Sequence, residues 1–257
     1  LTSPAGTGRD GAGVVTTAAD KSLVGKRVIF FAPRGVGAWA QQVAMPLSSI
    51  AELPPSVSFS QGAALPLAGT SAWIPLVDIA NVGPGMRVLI HAGAGGVGSL
   101  GIQIAKARGA HVIATASSRN VDFVRSLGAD EVIAYDKTPF ETVLRDVDVV
   151  FDTMGGEVHE RSYKVLKRGG LMVHLMAEPF TDRSAEFGVT VKAAPILPRK
   201  DILEGLVALV AQGKMRVSIE HDLPITEFRR AQELSETWRV RGKIVLDVRK
   251  VDGTPIE

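Results

Sequence analysis

The chain contains no cysteine. That absence excludes a disulfide framework, a cysteine nucleophile, an iron–sulfur cluster and any zinc site built on thiolates. Charge of one sign is also missing. Lys and Arg number 29 against 27 Asp and Glu, a formal net charge of +2, which argues against a dedicated nucleic-acid binder. Nor is there a long unbroken apolar run. The stretch Val88 to Ala105 is uncharged and about 18 residues long, close to the lower limit for a membrane span. It carries five glycines, Gly93, Gly95, Gly96, Gly98 and Gly101, and reads instead as strand, glycine loop and buried helix. The opening LTSPAGTGRDGAG has neither a charged n-region nor an apolar h-region and does not read as a secretory signal. The expectation is a protein that engages neither membrane nor nucleic acid, in the cytoplasm. No H-E-x-x-H and no G-x-S-x-G occurs, so zincin and serine-hydrolase chemistry have no anchor.

What is present changes character along the chain. Up to Pro66, short strand candidates (Ala12 to Val15, Arg27 to Ala32, Ala40 to Met45) alternate with Gly and Pro turns. Leu67 to Asn81 reads as a helix with Trp73, Leu76 and Val77 on one face. Continuous apolar strands then alternate with helices. The strands are Arg87 to Ala92, His111 to Ala116, Glu131 to Tyr135, Asp148 to Thr153 and Gly170 to Met176. The helices are Ser99 to Arg108, Val121 to Leu127, Pro139 to Leu144 and Glu157 to Lys167. This pattern predicts a doubly wound parallel sheet covered on both faces. The tail adds a helix over Asp201 to Gln212, a strand at VSIEHDLPI, a helix over Glu227 to Thr237 and a strand over Lys243 to Arg249.

The informative motif is HAGAGGVGSLGIQIAKARGA. Gly93, Gly95 and Gly98 fit G-x-G-x-x-G, with a strand before and a helix and second strand after, a βαβ unit of about 30 residues. The first glycine is expected to permit the tight turn, the second to admit a pyrophosphate, and the third to let helix and strand pack closely. The helix N-terminus offers N–H groups and a positive dipole end to phosphate. An acid at the end of the second strand would mark NAD. This chain has Thr115, Ala116, Ser117, Ser118, Arg119 and Asn120 there. Hydroxyls and Arg suit a 2′-phosphate, so NADP(H) is the expected cofactor. Tyr135, ending the third strand, could add a hydroxyl to the same pocket.

GRDGAGVV, GAALPLAGTSAW, VGPGMRVLIHAGAGGVGSLGIQIAKARGAHVIATASS, SLGADEVIAYD, DVVFDTMGGE, LKRGGLMVHL and RGKIVLDV together resemble, in order, the zinc-independent quinone oxidoreductases of the medium-chain dehydrogenase/reductase superfamily. The resemblance implies an α/β protein, a Rossmann-type doubly wound sheet plus a partial GroES-like β-barrel. It assigns residues 1–66 to the substrate domain, 67–200 to the NADP-binding domain and 201–257 to a return to the first. Gly93, Ala94, Gly95, Gly96, Val97 and Gly98 match the pyrophosphate loop. Ser117, Ser118, Arg119 and Tyr135 fall at the 2′-phosphate. Ser71 falls near the nicotinamide, where the family usually has Thr. Thr153 and Met154 fall near its ribose, Leu175 near its carboxamide, and Lys243 at the family's C-terminal Gly-Lys. A homodimer or homotetramer is implied. In the family, barrel strands precede GRDGAGVV; the chain as it stands opens in mid-barrel and is expected to continue before Leu1.

The implied reaction is hydride transfer from NADPH to a quinone or an α,β-unsaturated carbonyl. Negative charge then spreads onto oxygen and water can supply the proton, so the protein chiefly holds the reactants face to face. No strong acid–base constellation is visible in the sequence, and the catalytic residues are unknown. Among the histidines, His91, His111, His159, His174 and His221, only His91 and His174 sit at strand ends where proton transfer has a place. Two other readings stand beside the first: an enoyl-thioester reductase on the same scaffold, and a non-catalytic NADPH-binding protein. Tyr163 and Lys167 also form the Y-x-x-x-K of short-chain dehydrogenases, but that family's glycine loop lies near the N-terminus, whereas this one begins at Gly93.

Overall fold

The computed structural model describes residues 7–175 and 179–248. Its strands and helices, in chain order, are β1 (Asp10–Val14), β2 (Arg27–Phe31), β3 (Ile50–Glu52), α1 (Phe59–Ala63), α2 (Pro66–Trp73), β4 (Arg87–Ile90), α3 (Gly96–Ala107), β5 (His111–Ala116), α4 (Val121–Ser126), β6 (Glu131–Ala134), α5 (Phe140–Val143), β7 (Val147–Asp152), α6 (Gly156–Ser162), β8 (Leu166–His174), α7 (Ser184–Phe187), β9 (Thr190–Ala193), α8 (Lys200–Ala211), β10 (Ile219–Pro224), α9 (Phe228–Glu236) and β11 (Lys243–Asp247). They divide into two units, one spanning Ser71–Ile196 and the other made of the segments on either side of it.

In the Ser71–Ile196 unit the six strands lie in the order β6-β5-β4-β7-β8-β9, every neighbouring pair parallel. The order reverses between β4 and β7. Chain direction splits there to the two halves of the sheet, and in open parallel sheets such a split leaves a crevice beyond the strands' C-terminal ends. The central strands read as unbroken apolar runs because helices cover both of their faces. Leu89, Ile113, Val150 and Met172 from four adjacent strands pack with Phe140, Leu144, Tyr163 and Val165, all essentially inaccessible. Burying each such side chain contributes about 1.5–3 kcal/mol.

In the other unit, β1, β2 and β3 form an antiparallel meander, and β10 and β11 form a parallel pair. Ile29, Phe31, Leu53 and Leu65 are its core. Asp10 accepts the Leu67 N–H at 3.0 Å and so satisfies one of the orphan donors opening α2. Helix α8 seats Leu206 against Gly69, where an added methyl would meet the leucine at 2.5 Å.

Four sequence expectations are corrected. Ala40 to Met45 is not a strand: Ala40, Gln41 and Gln42 are exposed, so no face is buried, and the second edge of β2 is taken by β3 instead. The helix predicted over Leu67 to Asn81 widens after Trp73 into a π-turn over Ile74–Ile79, with Ala80 N–H donating to the Pro75 carbonyl. Pro75 has no N–H for the carbonyl four residues back, which disfavours regular α-helix there. The helix predicted over Glu157 to Lys167 ends earlier, in a 3-10 turn over Tyr163–Val165, and β8 begins at Leu166. β9 completes the sheet where no strand was expected. Met176 and Arg249, the predicted ends of two strands, lie outside the described residues.

Candidate cofactor site

The glycine loop follows β4 at the switch point. The turn's left-handed residue is Ala92, with φ 50°, rather than Gly93 as expected from the motif. Gly93 serves by its size: a methyl there would meet Ala114 Cβ at 3.0 Å and Ile102 at 3.1 Å. Its N–H donates to the Thr115 carbonyl at 2.8 Å, tying the loop to β5. Gly98 has still less room, since a Cβ would sit 2.2 Å from the Ala92 carbonyl oxygen and 3.0 Å from Gly93 Cα. Both neighbours are backbone, so only glycine lets α3 pack this close to the strand end.

Helix α3 is then left open for an anion. Its N-cap, Gly95, has no side chain to cap with, and the first turn holds no acidic residue. Gly96, Val97 and Gly98 are the first-turn residues, whose N–H groups have no helical acceptor. The Ala94 side chain is tucked inward, whereas Gly95, Gly96 and Val97 are partly exposed. A pyrophosphate fits this arrangement on three counts: orphan donors, a positive dipole end and no competing carboxylate.

Beyond β5 and β6 the structure brings Ser117, Ser118, Arg119 and Tyr135 together. Ala116 pairs with Ala134, and Tyr135 N–H donates to the Ala116 carbonyl at 3.0 Å. Ser118 and Arg119 are exposed, and Tyr135 keeps 58% of its surface. A residue that no sequence motif marks joins them. Asp136 accepts both the Ser118 N–H at 2.7 Å and the Ser118 hydroxyl at 2.6 Å. The hydroxyl's bond and that of the N–H hold the Asp136 carboxyl below its ordinary range.

The ends of β7 and β8 are joined by a second group of residues. Thr153 donates its hydroxyl to the His91 carbonyl at 3.0 Å, and Leu175 N–H donates to the Asp152 carbonyl at 3.2 Å. Asp152 is inaccessible to solvent. Its Oδ1 accepts the N–H groups of Met154 at 2.9 Å and Gly155 at 3.0 Å, and its Oδ2 lies 2.8 Å from His159 Nδ1. Burial by itself would raise this carboxyl; the bonds from His159 and the two amides outweigh it and hold the group below the usual range. His159 Nε2 reaches the Tyr163 hydroxyl at 3.3 Å, and that oxygen also accepts Arg183 N–H at 3.3 Å. An Asp-x-x-Gly turn signal was legible in DTMGG; the His159 support, from a different element, was not.

His91 is held in the core. Ser162 gives its own proton to the Val158 carbonyl at 2.6 Å, so the 2.9 Å contact requires His91 Nε2 to be the donor. Nδ1 then accepts from the Thr115 hydroxyl at 3.1 Å, while Thr115 Oγ1 accepts Ala92 N–H at 3.3 Å. The ring is neutral, its pKa lowered to about 4 by burial. It anchors the glycine loop and has no free nitrogen for proton transfer.

Ser71 is buried on α2. Lys243 opens β11 in the other unit, where its N–H donates to the Ser218 carbonyl. Tyr163 and Lys167 do not share a helix face: Tyr163 is buried in its 3-10 turn, and Lys167 is on β8, ion-paired to Asp148 at the opposite end of β7 from the crevice. Zinc is not matched by the donor set, since the sequence has no cysteine and no group of three His, Asp or Glu among the described residues could hold a metal ion. No helix among the described residues is long and apolar enough to cross a membrane.

The strand order, the switch point and the uncapped glycine loop define the Rossmann-type dinucleotide fold. A family model described as zinc-binding dehydrogenase matches residues 127–246. The structure of the quinone oxidoreductase from Coxiella burnetii is similar at 34% identity and a TM-score of 0.87, covering 96% of this chain and 81% of that one. The chloroplastic NADPH-dependent alkenal/one oxidoreductase of Arabidopsis thaliana is 35% identical over 242 residues, 93% of this chain and 58% of that protein. The polyketide synthase GfsB of Streptomyces halstedii is 35% identical over 241 residues, 88% of this chain and 4% of the synthase. The chain belongs to the medium-chain dehydrogenase/reductase superfamily, and it spans less than two thirds of these two curated relatives.

Proposed function

We propose that this chain binds NADP(H) and acts as a zinc-independent reductase of quinones or α,β-unsaturated carbonyls. The observation that carries the reading is the glycine loop at the β4–β7 switch point. There Gly96, Val97 and Gly98 present orphan N–H groups with no acidic residue in the first turn. The bound cofactor supplies a hydride. The protein's own residues do the rest: the loop receives the pyrophosphate, Arg119 with Ser117 and Tyr135 receives the adenosine end, and Thr153 and Met154 line the other end of the crevice. Leu175 is held beside them through the Asp152 carbonyl. Ser71 and Lys243 join this set by resemblance alone. A conjugated acceptor calls for no strong acid–base pair, since its developing charge spreads onto its own oxygen. Likeness to the quinone oxidoreductase and to the alkenal/one oxidoreductase supports the same acceptor class. Likeness to a polyketide synthase favours a second reading, an enoyl thioester as substrate.

The test is steady-state oxidation of NADPH with benzoquinone, with an alkenone and with an enoyl-CoA, alongside direct titration of NADPH binding. Turnover with the first two supports the main reading, and turnover with the thioester alone supports the second. Tight NADPH binding without any turnover overturns both and leaves a binding protein. Arg119→Ala is expected to weaken NADPH about tenfold, the scale of one exposed charge-assisted contact, with NADH little changed. Equal loss for both coenzymes would remove the 2′-phosphate assignment.

A further inference from the structure

The end of β5 carries no acid, and Arg119 stands where a 2′-phosphate would be received. The structure nevertheless delivers an acid to this corner from the neighbouring strand. Asp136 follows β6 by two residues, and the β5–β6 register with the Tyr135–Ala116 hydrogen bond holds the two strand ends in step. Its carboxylate takes both donors of Ser118, the N–H at 2.7 Å and the hydroxyl at 2.6 Å. Ser118 has one hydroxyl proton, and it is committed to Asp136. What its oxygen still presents is lone pairs, which accept but cannot donate. Such an oxygen suits a ribose hydroxyl, which has a proton to give, and is a poor partner for a phosphate, which has none. Asp136 itself is exposed and adds a negative charge that repels phosphate and accepts from a hydroxyl.

We infer that Asp136 is a coenzyme-selectivity residue, favouring the free ribose 2′-hydroxyl against the pull of Arg119 on a 2′-phosphate, so that the chain accepts NADH as well as NADPH. This rests on the dinucleotide reading of the site. Asp136→Asn removes the charge, keeps the shape, and offers an amide N–H to a phosphate. The experiment is fluorescence titration of the wild-type chain and D136N with NADPH and with NADH, reading dissociation constants without turnover. Wild type is expected to bind the two coenzymes within about tenfold of each other. D136N should tighten NADPH and weaken NADH, moving the ratio roughly tenfold or more towards NADPH, the scale of one charge acting on a nearby phosphate in water. A ratio unchanged in D136N overturns this inference alone, as does a wild-type preference for NADPH of about a hundredfold or more. Failure of wild type to bind either coenzyme overturns the dinucleotide reading together with it.

Discussion

Acidification should weaken this fold through one histidine. His91 is buried, neutral and fully engaged: Nδ1 receives from Thr115 and Nε2 donates to Ser162. Protonation would put a second donor at Nδ1, facing a Thr115 hydroxyl that would have to turn its proton away. It would also leave a cation in the core beside Phe140, whose ring lies 4.8 Å from the imidazole. Burial accordingly lowers the pKa from 6.5 to about 4. Between those values the unfolded chain binds a proton that the folded chain refuses, so stability is lost as pH falls from about 6.5 to about 4 and levels off below. Linkage with those two values gives a loss of about 2 kcal/mol between pH 7 and pH 5, tending to about 3 kcal/mol below pH 4. Urea unfolding at the two pH values, for wild type and for His91→Gln, isolates this contribution. The glutamine variant should be less stable at pH 7, by about 1–3 kcal/mol for its disturbed hydrogen bonds. Its further loss on going to pH 5 should be about 2 kcal/mol smaller than wild type's. Equal pH 5 losses in the two proteins would refute the assignment of a neutral, anchoring His91.

Gly98→Ala should cost about 1–3 kcal/mol of stability and abolish dinucleotide binding, because the methyl would strike the Ala92 carbonyl. Gly101→Ala, one turn along with no neighbour nearer than 3.4 Å, should be neutral or stabilising by up to about 1 kcal/mol from helix propensity. Calorimetric unfolding with NADPH titration compares them, and normal binding by G98A would contradict the close-packing role. His159→Leu should cost about 3 kcal/mol, since it strips the buried Asp152 carboxylate of its ring donor. Adding Asp152→Asn should recover part of that loss, and a strictly additive double-mutant cycle would show that the two residues are not coupled.

The parallel sheet was legible because burial on both faces leaves apolar runs such as RVLI and VVF that need no partner to be recognised. β9 escaped notice for the converse reason: Thr190 to Ala193 is a sheet edge, mostly exposed, and TVKA carries no apolar run. The early end of the helix before β8 was hidden because the buried residues His159 and Tyr163, and Ser162 and Val165, keep helical spacing into the turn whether it is α or 3-10. At the site, the glycine loop could be read because its constraints are local, Gly98 against Ala92 being six positions apart in sequence. The polar supports could not be read in that way. Ser162 approaches His91 across 71 positions, and Asp136 meets Ser118 across 18.

What the fold adds at those places is less the presence of a group than the direction of its proton. Ser118 stands in the sequence as a hydroxyl ready for phosphate, yet its one proton is spent on Asp136, which turns it from a donor into an acceptor. His91 stands as a candidate for proton transfer, yet Ser162's commitment to the Val158 carbonyl fixes which imidazole nitrogen donates. The same residue types with the opposite proton order would serve other chemistry: a serine free to donate selects a phosphate, and a histidine with an open nitrogen can move a proton. Residue identity therefore places this chain in its family, while hydrogen-bond direction decides which members of the motif are available to a ligand. By that criterion the proposed ribose corner, with Arg119 on one side and the Asp136–Ser118 pair on the other, is the place where the two coenzyme titrations should separate.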